Sequence, residues 1–191
     1  MNTFDIIVIG GGWTGCGVAE AFLQAGKKVC VISDGLSLAV SGSDAPYSRL
    51  SALQKDGATI LRGDRVLAGN WNGRRLVSVV TRNLGMQTPL SADIFVLATG
   101  KFFSRGLLSD KEHVWEPIFG SDVVSSPDRT RWYDPDFFAP QPFLGYGVLT
   151  DESGRILFGG EPAENLYASG EIVAEGYASA GIQKILTNYA G

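Results

Sequence analysis

The chain is short of the residues that carry most thiol and metal chemistry, with two cysteines and one histidine in 191 residues. Cys16 and Cys30 form no C-x-x-C pair and each sits inside an apolar element, which argues against a redox-active dithiol and reads both as small core residues. His113 has no visible partner, so it reads as a surface residue rather than a catalyst. No metal site is expected, and no paired titratable groups occur in a motif that would name a catalytic residue. No apolar run approaches the ~20 residues that span a bilayer, and nothing before the first strand reads as a signal peptide. The expectation is therefore a cytoplasmic protein without direct membrane insertion. Sixteen basic against twenty acidic residues leave a net charge of −4, which argues against nucleic acid as the main partner. Internal repeats, low-complexity tracts and heptads are not found either.

What the chain does have is concentrated at its start, in Phe4-Asp5-Ile6-Ile7-Val8-Ile9-Gly10-Gly11-Gly12-Trp13-Thr14-Gly15. Ile6 to Ile9 are apolar without alternation, the pattern of a strand buried on both faces. Gly10, Gly12 and Gly15 then fall at G-x-G-x-x-G spacing. The first allows a sharp turn, the second close approach of a phosphate, and the third close packing of helix on strand. Backbone N–H groups from Gly12 through Trp13 and Thr14 would form an anion site at a helix start.

A helical pattern follows, with Val18, Ala21, Phe22 and Ala25 on one face and Gly26 as its C-terminal cap. Val29 to Ile32 make a second buried strand, completing a right-handed β-α-β unit. In dinucleotide sites a carboxylate at the end of this strand accepts hydrogen bonds from ribose hydroxyls. Ser33 aligns with that position, and Asp34 one place later is the alternative. A serine there makes only neutral hydrogen bonds, so the adenosine half would be weakly specified.

Leu36 to Pro46 read as a loop, and Tyr47 to Lys55 as a helix ended by Gly57. Ala58 to Leu61, Arg65 to Ala68 and Leu76 to Arg82 read as an antiparallel meander, with Asn70-Trp71-Asn72-Gly73 as a turn. Ala92 to Ala98 return to the buried sheet and end in Thr99-Gly100. Lys101 to Pro142, rich in aromatics and proline, read as a long packed loop. Gly147 to Thr150 and Arg155 to Phe158 read as a hairpin, Asn165 to Ser169 as a last core strand, and Ile182, Ile185, Leu186 and Tyr189 as one face of a closing helix. The fold class expected is α/β, a Rossmann-like FAD/NAD(P)-binding fold with a central parallel sheet, helices and an antiparallel β-meander crossover.

Three features then stand in one order: the glycine loop, the Ala98-Thr99-Gly100 turn, and Asn165-Leu166-Tyr167-Ala168-Ser169-Gly170-Glu171 before a helix. With Phe95 to Leu107, Glu116 to Gly120 and Trp132 to Asp151, these blocks make the chain resemble two-domain flavoproteins of the succinate dehydrogenase/fumarate reductase type. Within them it is most similar to the B subunits of anaerobic glycerol-3-phosphate dehydrogenase. The resemblance implies a flavin cofactor (FMN as that family is described, with FAD possible). It implies a small-molecule substrate, glycerol 3-phosphate, oxidised to dihydroxyacetone phosphate with electrons passed to a respiratory acceptor. It also implies a catalytic flavoprotein subunit and an iron–sulfur membrane-anchoring subunit as companions, which would hold the chain peripheral to the inner membrane.

Family members carry a large insertion after the second strand that forms a substrate-facing cap, where this chain has only Ser41 to Ala45. The expectation is thus a single flavin/dinucleotide-binding domain over residues 1–191 without that cap. A flavin face open to solvent, or an empty cofactor cleft bordered by Trp115 to Phe138, is also expected. The cofactor-binding residues would be Gly10, Gly12, Trp13, Thr14, Gly15, Ser33, Asp34, Ala98, Thr99, Gly100, Gly170 and Glu171. Lys101 and Arg105 are candidates for phosphate or carboxylate contacts. A non-catalytic flavin-binding or assembly subunit is the alternative. An NAD(P)-linked dehydrogenase fits less well, because no Tyr-x-x-x-Lys pair is present.

Overall fold

The unbroken apolar run at the start of the chain has two faces to cover. In the computed structural model, which describes residues 3–35, 45–83 and 86–190, strand β1 (Thr3–Ile9) lies between two parallel neighbours. These are β2 (Val29–Ser33) and the second half of β6 (Met86–Leu97). Ile7 and Ile9 enter one core with Cys30, Ile32, Phe95 and Leu97. Ile6 and Val8 enter another with Val29, Val31, Ile94 and Val96. Side chains alternate in direction while polarity does not, as a strand buried on both sides requires.

The parallel part of the sheet runs in the order β3 (Thr59–Arg62), β2, β1, β6, β12 (Glu161–Ala168), and β11 (Arg155–Phe158) adds an antiparallel edge. Helices α1 (Trp13–Gln24), α2 (Ala45–Lys55) and α3 (Ile182–Ala190) contribute Cys16, Val18, Ala19 and Phe22, Leu50 and Leu53, and Ile185 to one core. The other core is covered by β4 (Arg65–Asn72), β5 (Arg75–Asn83) and the later loops, through Val66, Leu76, Val79, Leu107 and Val148. The Rossmann-like expectation is met. Cys16 and Cys30 fall in opposite cores as free buried thiols, and burial pushes the Cys30 thiol up to about 12.

Several boundaries differ from the sequence reading. β3 is not part of the meander: the crossover through α2 returns the chain beside β2, with Cys30 opposite Thr59 and Ser33 opposite Arg62. β4 continues through Asn72, and the turn is Gly73–Arg74, with Gly73 at φ +60°. Asn70 sits within the strand, donating to the Ser78 hydroxyl across the ladder at 2.9 Å. β6 is one strand, antiparallel to β5 as far as Ser91 and parallel to β1 from there. The middle region carries β7 (Leu108–Ser109), β8 (Val114–Trp115) and β9 (Val123–Val124). β10 (Gly147–Val148) pairs with β9, and the expected hairpin is kept as the Asp151–Gly154 turn and the Thr150–Ile156 bridge, with Asp151 N donating to Arg155 O and Leu157 N to Leu149 O. On α1 the buried face is Gly15, Cys16, Val18, Ala19 and Phe22, while Ala25 is the exposed C-cap residue before Gly26 at φ +73°. The loop expected at residues 36–44 lies outside the described residues.

A buried asparagine locks the last strand to the meander. The Asn165 side-chain oxygen accepts from Leu76 N at 2.9 Å, and its amide donates to Leu76 O at 2.9 Å and Asp93 O at 2.8 Å. Asn165→Leu leaves the buried Leu76 N–H and C=O, and the part-buried Asp93 carbonyl, without these partners. A loss of about 2–4 kcal/mol in urea unfolding is expected, since each unsatisfied buried group costs about 1–3 kcal/mol. An unchanged midpoint would show that the meander does not depend on this link. At the far end, Tyr189 on α3 donates to Asp5 at 2.7 Å, and this contact and the Lys28 N–H hold the Asp5 carboxyl below its usual range.

Candidate functional site

The three glycines of the first loop do different work. A Cβ on Gly10, at φ +117°, would stand 2.3 Å from Ala98 O, and one on Gly15 would stand 1.9 Å from Gly10 O. Both are therefore demanded by chain-on-chain approach: the loop after β1 crosses the end of β6, and α1 presses on the loop. Gly12 is the N-cap of α1 in an extended conformation (φ −76°, ψ −171°) that any residue adopts. It provides no side-chain cap, so the first-turn N–H groups of α1 have no side-chain acceptor from that position. Trp13 contributes backbone only, because its exposed indole stacks under the Arg49 guanidinium, 5.1 Å from the ring centre. Arg49 in turn pairs with Glu20 at 3.0 Å. Thr14 faces the loop after β12: a Cβ on Gly170, at φ +80°, would stand 2.5 Å from Thr14 Oγ1.

On the β2 side of this loop lies a cavity of 140 Å³ at the carboxyl ends of β1, β2 and β6. Asp34, Thr99 and Arg105 line it, together with Val66 of β4 and Ile118. Ser33, the residue that aligns with the expected carboxylate, points the other way. It is buried, and its hydroxyl packs below Gly11, 2.7 Å from where a Cβ on that glycine would be. Of the two candidates, Asp34 is the one on the cavity wall. Thr99 Oγ1 is buried among the described residues without a hydrogen-bond partner, and a buried hydroxyl in that state calls for a ligand or water. Arg105 is held at φ +58°, in the left-handed region that non-glycine residues seldom occupy.

On the β12 side lies a larger cavity of 750 Å³, lined by Lys101, Phe102, Phe143, Leu144, Glu171 and Glu175, among others. The Lys101 ammonium donates to Leu144 O. Burial lowers the Lys101 pKa, and Glu171 and Glu175 pull it back up. The sequence reading bordered the cleft with Trp115 to Phe138. Of that segment Pro117 and Ile118 line the first cavity, whereas the second is bordered by Phe102–Phe103 and Pro140–Gly145, and Phe137 and Phe138 are 85% and 93% exposed. Aromatic content marked the right region, but the tight 101–106 loop and the 142–145 helical turn decide which rings face the cavity.

The predicted residues thus divide in three. Gly10, Gly12, Trp13, Thr14 and Gly15 form the helix start, and Gly170 seals against it. Asp34 and Thr99 line the first cavity, with Ala98 under the crossing and Gly100 packed against Ser104 and Gly106, and Glu171 lines the second. Sequence reasoning missed Val66 and Glu175, and reached Ile118 only as part of the Trp115 to Phe138 border. For Ile118 a signal existed in Glu116 to Gly120: the buried Glu116 carboxylate accepts from the N–H groups of Ile118, Phe119 and Gly120 at 2.7–3.1 Å, which fixes that wall. Burial raises the Glu116 pKa, and those backbone donors oppose the rise.

A parallel sheet whose carboxyl edge carries a glycine turn, an uncapped helix start and a cavity on either side defines a dinucleotide-binding domain. Residues 42–181 match the FAD binding domain family, FAD_binding_2, and the chain belongs to that family. The match begins after the glycine loop, so loop and family are independent observations. Flavin is the cofactor class this family defines, and its description names FAD rather than FMN.

The chain is 42% identical over 123 residues to the B subunit of anaerobic glycerol-3-phosphate dehydrogenase from Vibrio vulnificus strain YJ016, covering 63% of this chain and 28% of the relative. It is 43% identical over 120 residues to the same-named protein of Yersinia enterocolitica serotype O:8, with the same coverage. The matched stretch is thus little more than a quarter of these relatives' length, and the resemblance carried by the motif blocks is borne out. Among solved structures, the myxobacterial chondrochloren halogenase CndH, a FAD-dependent halogenase, is 17% identical with a TM-score of 0.45 over 52% of this chain and 38% of that one. Among the described residues, no helix is long and apolar enough to cross a membrane.

Proposed function

We propose that this chain is the FAD-holding part of a flavin-dependent dehydrogenase subunit that oxidises glycerol 3-phosphate to dihydroxyacetone phosphate and passes the electrons to a respiratory acceptor. The observation that carries the reading is the pair of cavities flanking one helix start, in a chain of the FAD binding domain family. The N–H groups at the start of α1 hold the pyrophosphate, with the helix dipole favouring its charge. Asp34 would accept from the ribose hydroxyls in the first cavity, where the unpaired Thr99 hydroxyl would supply a further contact. Glu171, which lines the second cavity beyond the Thr14–Gly170 contact, would accept from the polyol chain and would set the ring on that side. When bound, the flavin supplies the hydride acceptor.

The chain would form one binding domain with no substrate cap inserted after β2, where residues 34–44 alone lead from β2 to α2. Exclusion of water and orientation of substrate then fall to a companion protein. A catalytic flavoprotein subunit and an iron–sulfur subunit are the companions proposed, and they place the chain at the cytoplasmic side of the inner membrane. The open second cavity also favours the alternative of a non-catalytic flavin-binding subunit. Turnover of glycerol 3-phosphate with an artificial acceptor separates the two. The dehydrogenase reading expects turnover that appears when the companions are added to the FAD-loaded chain. Absence of any gain from the chain in the assembled complex would leave the non-catalytic role.

A further inference from the structure

The second cavity has mostly apolar walls, and the charged groups lining it are Lys101, Glu171 and Glu175. Lys101 is not a solvated surface lysine. Its side chain is half-buried and its ammonium is tied to the Leu144 carbonyl. The same turn brings up one of the opposing carboxylates: Glu175 N donates to Gly145 O at 2.9 Å, and Glu175 Oε2 would lie 3.0 Å from a Cβ on Gly145. Residues 144 and 145 therefore bring one positive and one negative side chain to the same wall, the Lys101 ammonium hydrogen-bonded there and the Glu175 carboxylate exposed beside Gly145. Glu171 faces them from the loop after β12. The burial that lowers the Lys101 pKa, set against the carboxylates that raise it, reflects the same arrangement.

We propose that Lys101 sets how readily the bound flavin ring accepts negative charge, its ammonium group, tied to the Leu144 carbonyl, counteracting Glu171 and Glu175 in the lining of the second cavity. The inference rests on the FAD reading above, in which the ring lies on the β12 side of the helix start. A flavin that gains electrons or an anionic adduct carries negative charge around N1 and the C2 carbonyl. Charges held against apolar walls act on it more strongly than the same charges in water. Lys101 favours that charge, and the two carboxylates oppose it. With Lys101 neutralised, the cavity would carry two uncompensated negative charges.

Sulfite is a direct probe. Its sulfur lone pair forms an S–N bond at flavin N5, the ring takes up the negative charge, and no oxidant or proton is required. The adduct is read as bleaching of the visible flavin band. In the FAD-loaded chain, Lys101→Met is expected to weaken sulfite binding by about tenfold or more, the scale of one partly screened charge. Lys101→Arg should stay close to the parent. Glu175→Gln should strengthen binding by about threefold, because it removes an opposing charge from the same wall. Opposite signs in Lys101→Met and Glu175→Gln are what an electrostatic role predicts and a merely structural role does not. Unchanged affinity in both variants, or weakening in both, would overturn the proposal. Failure of the parent chain to retain FAD at all would instead remove the site reading on which it rests, and the two failures are told apart by the visible spectrum before sulfite is added.

Discussion

Gly12→Val is expected to abolish flavin retention while the chain stays folded. The N-cap conformation at Gly12 is one that valine adopts without strain, so the sheet and α1 should form as before. The added side chain stands at the mouth of the helix start, where a phosphate must approach the backbone N–H groups. Gly10→Val and Gly15→Val should behave differently. A Cβ at either position meets a backbone oxygen at 2.3 or 1.9 Å, and Gly10 also holds φ +117°. Those two variants should lose cooperative unfolding as well as flavin. Far-ultraviolet circular dichroism with bound-flavin absorbance separates the classes. Undiminished flavin in a folded Gly12→Val protein would remove the loop from the site.

Asp34→Ala is expected to cost about 10- to 100-fold in FAD affinity and to leave FMN affinity unchanged. Hydrogen bonds to a charged group contribute about 1.5–3 kcal/mol, and only FAD has the ribose to make them. Ser33 alone would leave the two flavins within about tenfold of each other, because its hydrogen bonds would be neutral. The position of Asp34 on the first cavity, with Ser33 turned under Gly11, favours the stronger discrimination. Isothermal titration of both flavins against parent and variant reads it. Equal FAD affinity in the two proteins would show that the adenosine half is held elsewhere.

The β-α-β unit was legible because its signals are local: two unbroken apolar runs, a glycine trio at fixed spacing, and Gly26 as a stop. The Ala98-Thr99-Gly100 and Gly170-Glu171 turns were legible for the same reason. Where the signal is pairing rather than pattern, the reading slipped. Thr59–Arg62 is a short strand whose partner, β2, is known only once α2 has brought it back alongside. Asn70 and Asn72 carry turn chemistry, yet both lie in a ladder with β5, where Asn70 finds Ser78. The cavity walls depend on contacts still further apart. Val66 reaches the first cavity from the meander and Glu175 the second from beyond β12, and neither sits in a motif. Phe137 and Phe138 close the aromatic-rich border expected from sequence, whereas the edge-to-face pair at the second cavity is Phe102 with Phe143, 6.1 Å between ring centres.

The central claim is that FAD lies along the carboxyl edge of the sheet from the Asp34 cavity to the Lys101 cavity. The most direct measurement is titration of the purified chain with FAD, followed by its visible spectrum and by chromatography of the cofactor released on heating. The account predicts a structured flavin band at one equivalent and release of FAD. A chain that stays colourless with excess FAD, or that binds NAD in its place, would contradict it.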